Sequence, residues 1–265
     1  MIIEINNRAL LRIRGKDAKA FLQAQFTNNI FQITPNGIQV NAYCQHQGKI
    51  MALLWVFVRN DNLYLSFPED LKELVVSKLN MFKLMSNLEI DDFSHEIKQY
   101  GLIDEKFDGS FTIKNNLSVF TTRKILDNDG SMQHWEKACI NNNIPEIYQE
   151  TSEQFIPQAI NLDINEFGVS FTKGCYPGQE VVARMHYLGK PKRRLFRFIS
   201  EFEVNVGDLI NVEDSSSLKA SGVVLRIAKI DETYHMLGTF ETKHASEIIY
   251  LNNDINKSIT IIDVK

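Results

Sequence analysis

The run Ile50 to Val58 is nine consecutive apolar residues, including Trp55 and Phe57, closed by Gln47-Gly48-Lys49 on one side and Arg59-Asn60-Asp61-Asn62 on the other. Turn residues at both ends confine it to strand length, so it reads as a buried strand. Leu63 to Phe67 follows at hairpin distance. Pro68 then opens a helix whose apolar positions are Leu71, Leu74, Val75, Leu79 and Phe82. Strand, turn, strand and helix in succession predict an α+β layer. Upstream, Gly15-Lys16-Asp17 precedes Ala18, Phe21 and Leu22. That spacing sets the three apolar residues on one helical face with Asp17 as N-cap, and the helix is expected to end near Thr27-Asn28-Asn29.

The stretch from about 95 to 130 is short strands and turns, such as Phe111 to Ile113 and Leu117 to Thr121, without a strong period. Trp135 to Asn143 reads as a helix, with Asn143 as a left-handed stop before Ile144-Pro145 because Asn tolerates positive φ. After Gly189-Lys190-Pro191 the pattern changes to alternating strands: Leu195 to Ser200, Leu209 to Val212, Val223 to Ile230, Tyr234 to Phe240 and Ile248 to Leu251. Gly207-Asp208 and Asp214-Ser215-Ser216-Ser217 punctuate them. This spacing predicts a small barrel or sandwich, with the main boundary near 190, giving an α+β body over 1–189 and a β-barrel over 190–265.

With 265 residues, 44% of them hydrophobic, the chain can build two or three cores of a soluble protein. Its three cysteines, Cys44, Cys139 and Cys175, are scattered without a C-x-x-C pair, so neither a disulfide framework nor a cysteine-only metal cage is indicated and a reducing cytoplasm is expected. Met1-Ile2-Ile3-Glu4-Ile5 has no basic region before an apolar core, and no segment is long enough to span a bilayer, so neither secretion nor membrane insertion is expected. The histidines lack spacings such as H-E-x-x-H, so no stable zinc site is expected. A net charge of -4 and a pI near 5.9 give no general attraction to nucleic acid. Any polyanion must be met locally. From Val181 to Ser200 there is no Asp or Glu, while Arg184, Lys190, Lys192, Arg193, Arg194 and Arg197 form a basic stripe. It is either solvated surface or a clamp for carboxylates or phosphates. As an RNA platform it has a flaw, since Phe196 and Phe198 share one face of a strand while Arg197 points to the other.

Chemistry concentrates in Lys173-Gly174-Cys175-Tyr176-Pro177-Gly178-Gln179-Glu180. Here a thiol sits at a glycine-rich entry to a helix, and both the Lys173 ammonium and the helix-opening amides are expected to favour its thiolate. The alternative is a small buried hydrophobe in a tight turn. A cysteine hydrolase or transferase would pair Cys175 with a histidine, and His186 is eleven residues on. An intervening helix would carry the two roughly 15 Å apart, however.

The block from Phe155-Ile156-Pro157-Gln158-Ala159 through Asn161-Leu162-Asp163 to Lys173–Glu180 and Val181-Val182-Ala183-Arg184 resembles the YgfZ family of folate-binding proteins, relatives of the glycine-cleavage T protein. Phe21-Leu22-Gln23-Ala24-Gln25 with Thr27-Asn28 is similar to that family's early helix, and Gln47-Gly48-Lys49 to its first hairpin turn. The resemblance covers most of the chain, with a shorter middle segment. It implies a T-protein-like α+β body of antiparallel sheets with helices, a C-terminal β-barrel, binding of tetrahydrofolate or another folate, and support of iron-sulfur enzymes or assembly proteins that in turn affect tRNA indirectly. A monomer is expected. Cys175 becomes the functional thiol, flanked by Lys173 and Tyr176. Trp135 aligns with a folate-contacting tryptophan, Gln158 and Asn161 fall where relatives place pterin-reading groups, and Gln179, Glu180 and Arg184 complete the nominated cofactor set. An N-terminal folate-contacting tryptophan of some relatives falls on Arg8, which could stack on a ring or pair with a carboxylate but offers no matching apolar face. A T-protein-like aminomethyltransferase needs an acid in the first hairpin, where this chain has Met51 and Ala52. Aminomethyl transfer and a cysteine-nucleophile enzyme therefore stand as alternatives to the accessory role.

Overall fold

The computed structural model describes residues 1–212 and 220–263, so the loop read at Asp214 to Ser217 lies outside the described residues. Among the described residues, fifteen strands and four α-helices follow in chain order. These are β1 (Ile2–Glu4), β2 (Arg8–Arg14), α1 (Ala18–Gln25), β3 (Gln39–Cys44), β4 (Ile50–Arg59), β5 (Asn62–Pro68), α2 (Lys72–Phe82), β6 (Glu89–Asp92), β7 (Lys98–Ile103), β8 (Phe111–Lys114), β9 (Leu117–Thr122) and α3 (Met132–Asn141). Then come α4 (Gln179–Leu188), β10 (Arg193–Ser200), β11 (Leu209–Val212), β12 (Gly222–Ile230), β13 (Thr233–Glu241), β14 (Ile249–Leu251) and β15 (Asp254–Asp263). They form a five-stranded sheet in the order β3-β4-β5-β2-β6, a four-stranded sheet β1-β7-β9-β8, and a closed barrel β10-β13-β12-β11-β14-β15. The expected α+β class, with antiparallel sheets and a C-terminal barrel, is what the chain adopts.

The apolar run becomes β4, paired with β3 and β5 and buried from Ile50 through Phe57. Asn60 and Asp61 both take positive φ, at 49° and 60°. That is the conformation a two-residue hairpin requires and one that Asn and Asp tolerate. In α1 the buried face is Ala18, Phe21, Leu22 and Gln25, as the spacing predicts. Asp17 departs from expectation: its carboxylate accepts from the Asn87 amide at 2.7 Å and makes no cap bond to its own helix. In α2, Val75 and Leu79 are buried but Phe82, the last helical residue, is 49% exposed because the core contacts stop at Leu79.

Helix α3 starts three residues earlier than expected, because Ser131 and His134 close a reciprocal cap around its first turn. Asn143 is left-handed at φ 51°, as anticipated. The barrel interior holds Phe196, Phe198 and Phe240, so the two phenylalanines of β10 do face a core. The closing strand β15 was not anticipated. Polar Asn256, Lys257 and Ser258 interrupt its isoleucines, yet it pairs with both β10 and β14. The barrel also turns Leu195, Val223, Leu225, Ala228 and Leu237 into the same hydrophobic cluster as the N-terminal sheets. Its outer wall is thus covered by the body, chiefly α3, whose Gln133 side chain accepts from the Lys229 amide at 2.7 Å.

Candidate functional site

The cysteine motif is a turn clamped against the β3–β4 hairpin. Gly178 is left-handed at φ 82°, and a Cβ there would lie 2.5 Å from the Gln45 carbonyl oxygen and 2.6 Å from Gly48 Cα. Two glycine backbones therefore meet where no side chain fits. Of the three thiols only Cys175 is exposed. Cys44 and Cys139 are buried, and burial pushes both thiols up, Cys139 to about 12. Tyr176 is buried as well, and desolvation raises its phenol.

Lys173 requires a correction. Its ammonium is directed away from solvent into the carbonyls of Gln23 at 2.5 Å, Phe26, and Asn28 at 3.1 Å. These oxygens belong to the last turn and exit of α1, where a cation satisfies orphan acceptors and the negative dipole end. Burial pulls this lysine down to about 8, while its Nζ sits 5.1 Å from the Tyr176 ring centroid. Lys173 therefore anchors the motif to α1. The helix α4 begins only at Gln179, so its opening amides follow Gly178 and do not start at Cys175.

Arg8 and Trp135 both pack against Trp55 in the core. The Arg8 guanidinium lies 3.6 Å over the Trp55 ring, donates to the Ser66 hydroxyl and carbonyl at 2.8 Å each, and forms a buried ion pair with Glu146. Glu146 also receives Arg226 at 3.3 Å, and Arg226 is 3.2 Å from Glu136, closing a chain of four charged side chains. Burial raises the Glu136 carboxyl against the opposing pull of Arg226. Trp135 is 1% exposed, edge-on to Trp55 at 6.3 Å, and covers Gly101, where a Cβ would come within 2.3 Å of its ring. Neither nominated ring partner thus presents an open face. Their sequence neighbours do line an opening. A cavity of about 260 Å³ is walled by Asn6, Asn7, Met132, Gln133, Glu136, Tyr148, Val206 and Ile227. The sequence reading missed Glu136 and Tyr148, although Glu136 stands next to Trp135.

The remaining nominated residues are elsewhere. Gln158 is fully buried and donates to the Val182 carbonyl at 2.7 Å, while Asn161 is left-handed at φ 60° and accepts from the Leu195 amide at 3.4 Å. Gln158 ties this segment to α4 and Asn161 ties it to β10. Gln179 opens α4, and Glu180 and Arg184 pair with each other at 3.2 Å on its exposed side. The nominated residues are therefore divided among the cysteine turn, the buried charge chain and the α4–β10 junction, and the cavity's wall contains none of them. Among the described residues no three His, Cys, Asp or Glu side chains gather to hold a metal ion, and no helix is long and apolar enough to cross a membrane.

No family model matches the chain. It is 30% identical over 240 residues to an uncharacterized protein of Haemophilus influenzae, covering 86% of this chain and 85% of that one. It is 28% identical over 268 residues to the tRNA-modifying protein YgfZ of Colwellia psychrerythraea, covering 87% and 82% respectively. The YgfZ of Aliivibrio fischeri is 26% identical over 266 residues, covering 88% and 82%. Among solved structures, the glycine cleavage system aminomethyltransferase T from Bartonella henselae superposes with a TM-score of 0.69 over 99% of this chain and 85% of that chain. At 9% identity, that likeness is one of fold.

Proposed function

We propose that this chain, similar to YgfZ proteins over most of its length and sharing the fold of a glycine-cleavage T protein, is a folate-binding accessory protein that supports iron-sulfur enzymes and thereby tRNA modification, with Cys175 as its functional thiol. One observation carries the folate reading. The two segments that hold Arg8 and Trp135 also supply Asn6, Asn7, Gln133 and Glu136 to a single cavity. Amides and a carboxylate are the groups that read the donor and acceptor edge of a pterin. The volume of about 260 Å³ lies below the roughly 300 Å³ of ordinary small-molecule pockets, so it fits the pterin head and not the whole cofactor. Bound there, a reduced folate would supply a one-carbon carrier. Glu136 and Gln133 would orient its head, and the Arg8–Glu146–Arg226 chain behind would hold Glu136 in place.

Cys175 supports the second half of the reading by being the accessible thiol. An iron-sulfur cluster takes about four ligands, so a partner protein or a small thiol must complete any site built on it. Aminomethyl transfer is disfavoured, because Met51 and Ala52 of β4 are buried and carry no acid. Replacing Cys175 with Ala should abolish support of tRNA thiolation in cells lacking the native copy, while the purified variant melts at the parent's temperature. Full complementation removes the thiol from the mechanism, and folate-dependent glycine cleavage by the purified protein overturns the accessory role.

A further inference from the structure

The basic stripe that the sequence left open is sorted by the structure into anchored and unanchored cations. Arg194 is held by Asp163 at 2.7 Å and by the Gln158 carbonyl at 2.9 Å. Arg193 donates to the Ala220 carbonyl, Arg197 to the Asn141 carbonyl at 3.4 Å, and Arg184 to Glu180 at 3.2 Å. Lys190 and Lys192 are exposed, and neither pairs with a described residue. With Pro191, Glu241, Thr242 and Lys243 they line a cavity of about 440 Å³. The strap is fixed to the end of β13, since the Thr242 amide donates to the Lys192 carbonyl at 3.1 Å. Glu241 is the lone carboxylate of that lining, and it is already shared by Lys243 at 3.3 Å, His244 at 3.7 Å and Arg193 at 4.0 Å. The neighbouring Glu247 is engaged by His244 at 2.7 Å. The groove therefore carries surplus positive charge although the whole chain is acidic.

Immediately before the strap, α4 ends in exposed rings. His186 stacks on Phe171 with centroids 3.6 Å apart and planes 16° from parallel, and Tyr187, 67% exposed, stands edge-on to His186 at 4.8 Å. Tyr187 and Lys190 are three Cα–Cα steps apart, so their Cα atoms lie within about 11 Å. A ring face beside free ammonium groups suits a chain that alternates flat bases with phosphates, since one such chain engages both the rings and the cations.

We propose that the end of α4 and the Lys190–Lys192 strap form a single-stranded RNA-binding face, with Lys190 and Lys192 meeting phosphates, Lys243 joining them by exchanging its exposed bridge to Glu241 for a phosphate, and Tyr187 stacking on a base. This goes beyond the folate reading and needs neither folate nor Cys175. The test is fluorescence anisotropy of a labelled RNA dodecamer with the folate-free full chain, over a salt series. Three phosphate contacts predict saturable binding whose log affinity falls with log salt at a slope of about -2. Changing Lys190, Lys192 and Lys243 together to Glu should abolish binding, and Tyr187→Ala should weaken it about tenfold at an unchanged slope. These side chains are surface groups, and matching melting temperatures will confirm intact folds. Absent binding at low salt, binding that survives the triple change, or equal competition by polyglutamate would each overturn the assignment. Because no folate is present, such a failure leaves the folate reading untouched.

Discussion

Gly178 holds the thiol turn by having nothing to place. A methyl group there would meet Gln45 and Gly48 backbone at 2.5 to 2.6 Å while forcing an L-residue to φ 82°. Gly178→Ala should therefore cost about 2 kcal/mol or more and lower the urea midpoint; an unchanged midpoint would show that the turn is not clamped. Removing Glu146 should cost about 3–5 kcal/mol, because it strands the buried Arg8 charge and leaves Arg226 with Glu136 alone. Glu180→Ala, which breaks only an exposed pair, should leave stability unmoved. Urea titration of both variants checks the contrast. At this scale the sequence disclosed residue types better than partners. The motif singled out Cys175, the exposed thiol, but it reported neither the Gly48–Gly178 contact nor the use of Arg8, which is spent on the chain's own Trp55 and Glu146. Lys173 was misjudged because its three acceptors come from the end of α1, about 150 residues away, and no local spacing reports them.

Among elements, α3 couples the body to the barrel. Lys137 of α3 touches the His235 ring nitrogen on β13, and burial followed by this ammonium pushes the imidazole below its ordinary value. Lys137 is itself pulled down by burial and then by Arg197. A depressed histidine contributes stability above the unfolded pKa of about 6.5 and loses it as pH falls through the lower, folded value. The melting temperature should therefore drop on acidification below about pH 6.5, and His235→Gln should flatten that dependence. An unaltered profile would mean that the pair does not couple to folding. Helix α3 was legible in its apolar period, though its start was set by a serine and histidine cap that periodicity does not register. Strand β15 was hidden for a similar reason. Barrel closure supplies its partners, so its own polar interruptions matter less than the register with β10 and β14.

The molecule as a whole joins two sheets and a closed barrel through one hydrophobic cluster that crosses residue 190. We propose the division into 1–189 and 190–265 as one of chain order, with Leu195, Val223 and Leu237 tying the barrel to the body core. Far-UV dichroism and tryptophan fluorescence, which reports only on the body through Trp55 and Trp135, should then unfold together; separate transitions would show independent units. Alternating strands made the barrel readable, but the choice of which barrel wall to cover depends on α3 and lies outside any local pattern. Likewise the cavity is assembled from strand ends, α3 and the barrel, so its carboxylate, Glu136, was overlooked while its buried neighbour Trp135 was chosen. Titration with reduced and oxidised folates, followed by calorimetry, bears most directly on the proposed role. Saturable binding is expected in the parent and in Cys175→Ala, weakened about tenfold or more in Glu136→Gln through loss of a charge-assisted hydrogen bond. Absence of saturable binding by any folate, or an affinity indifferent to Glu136→Gln, would contradict it.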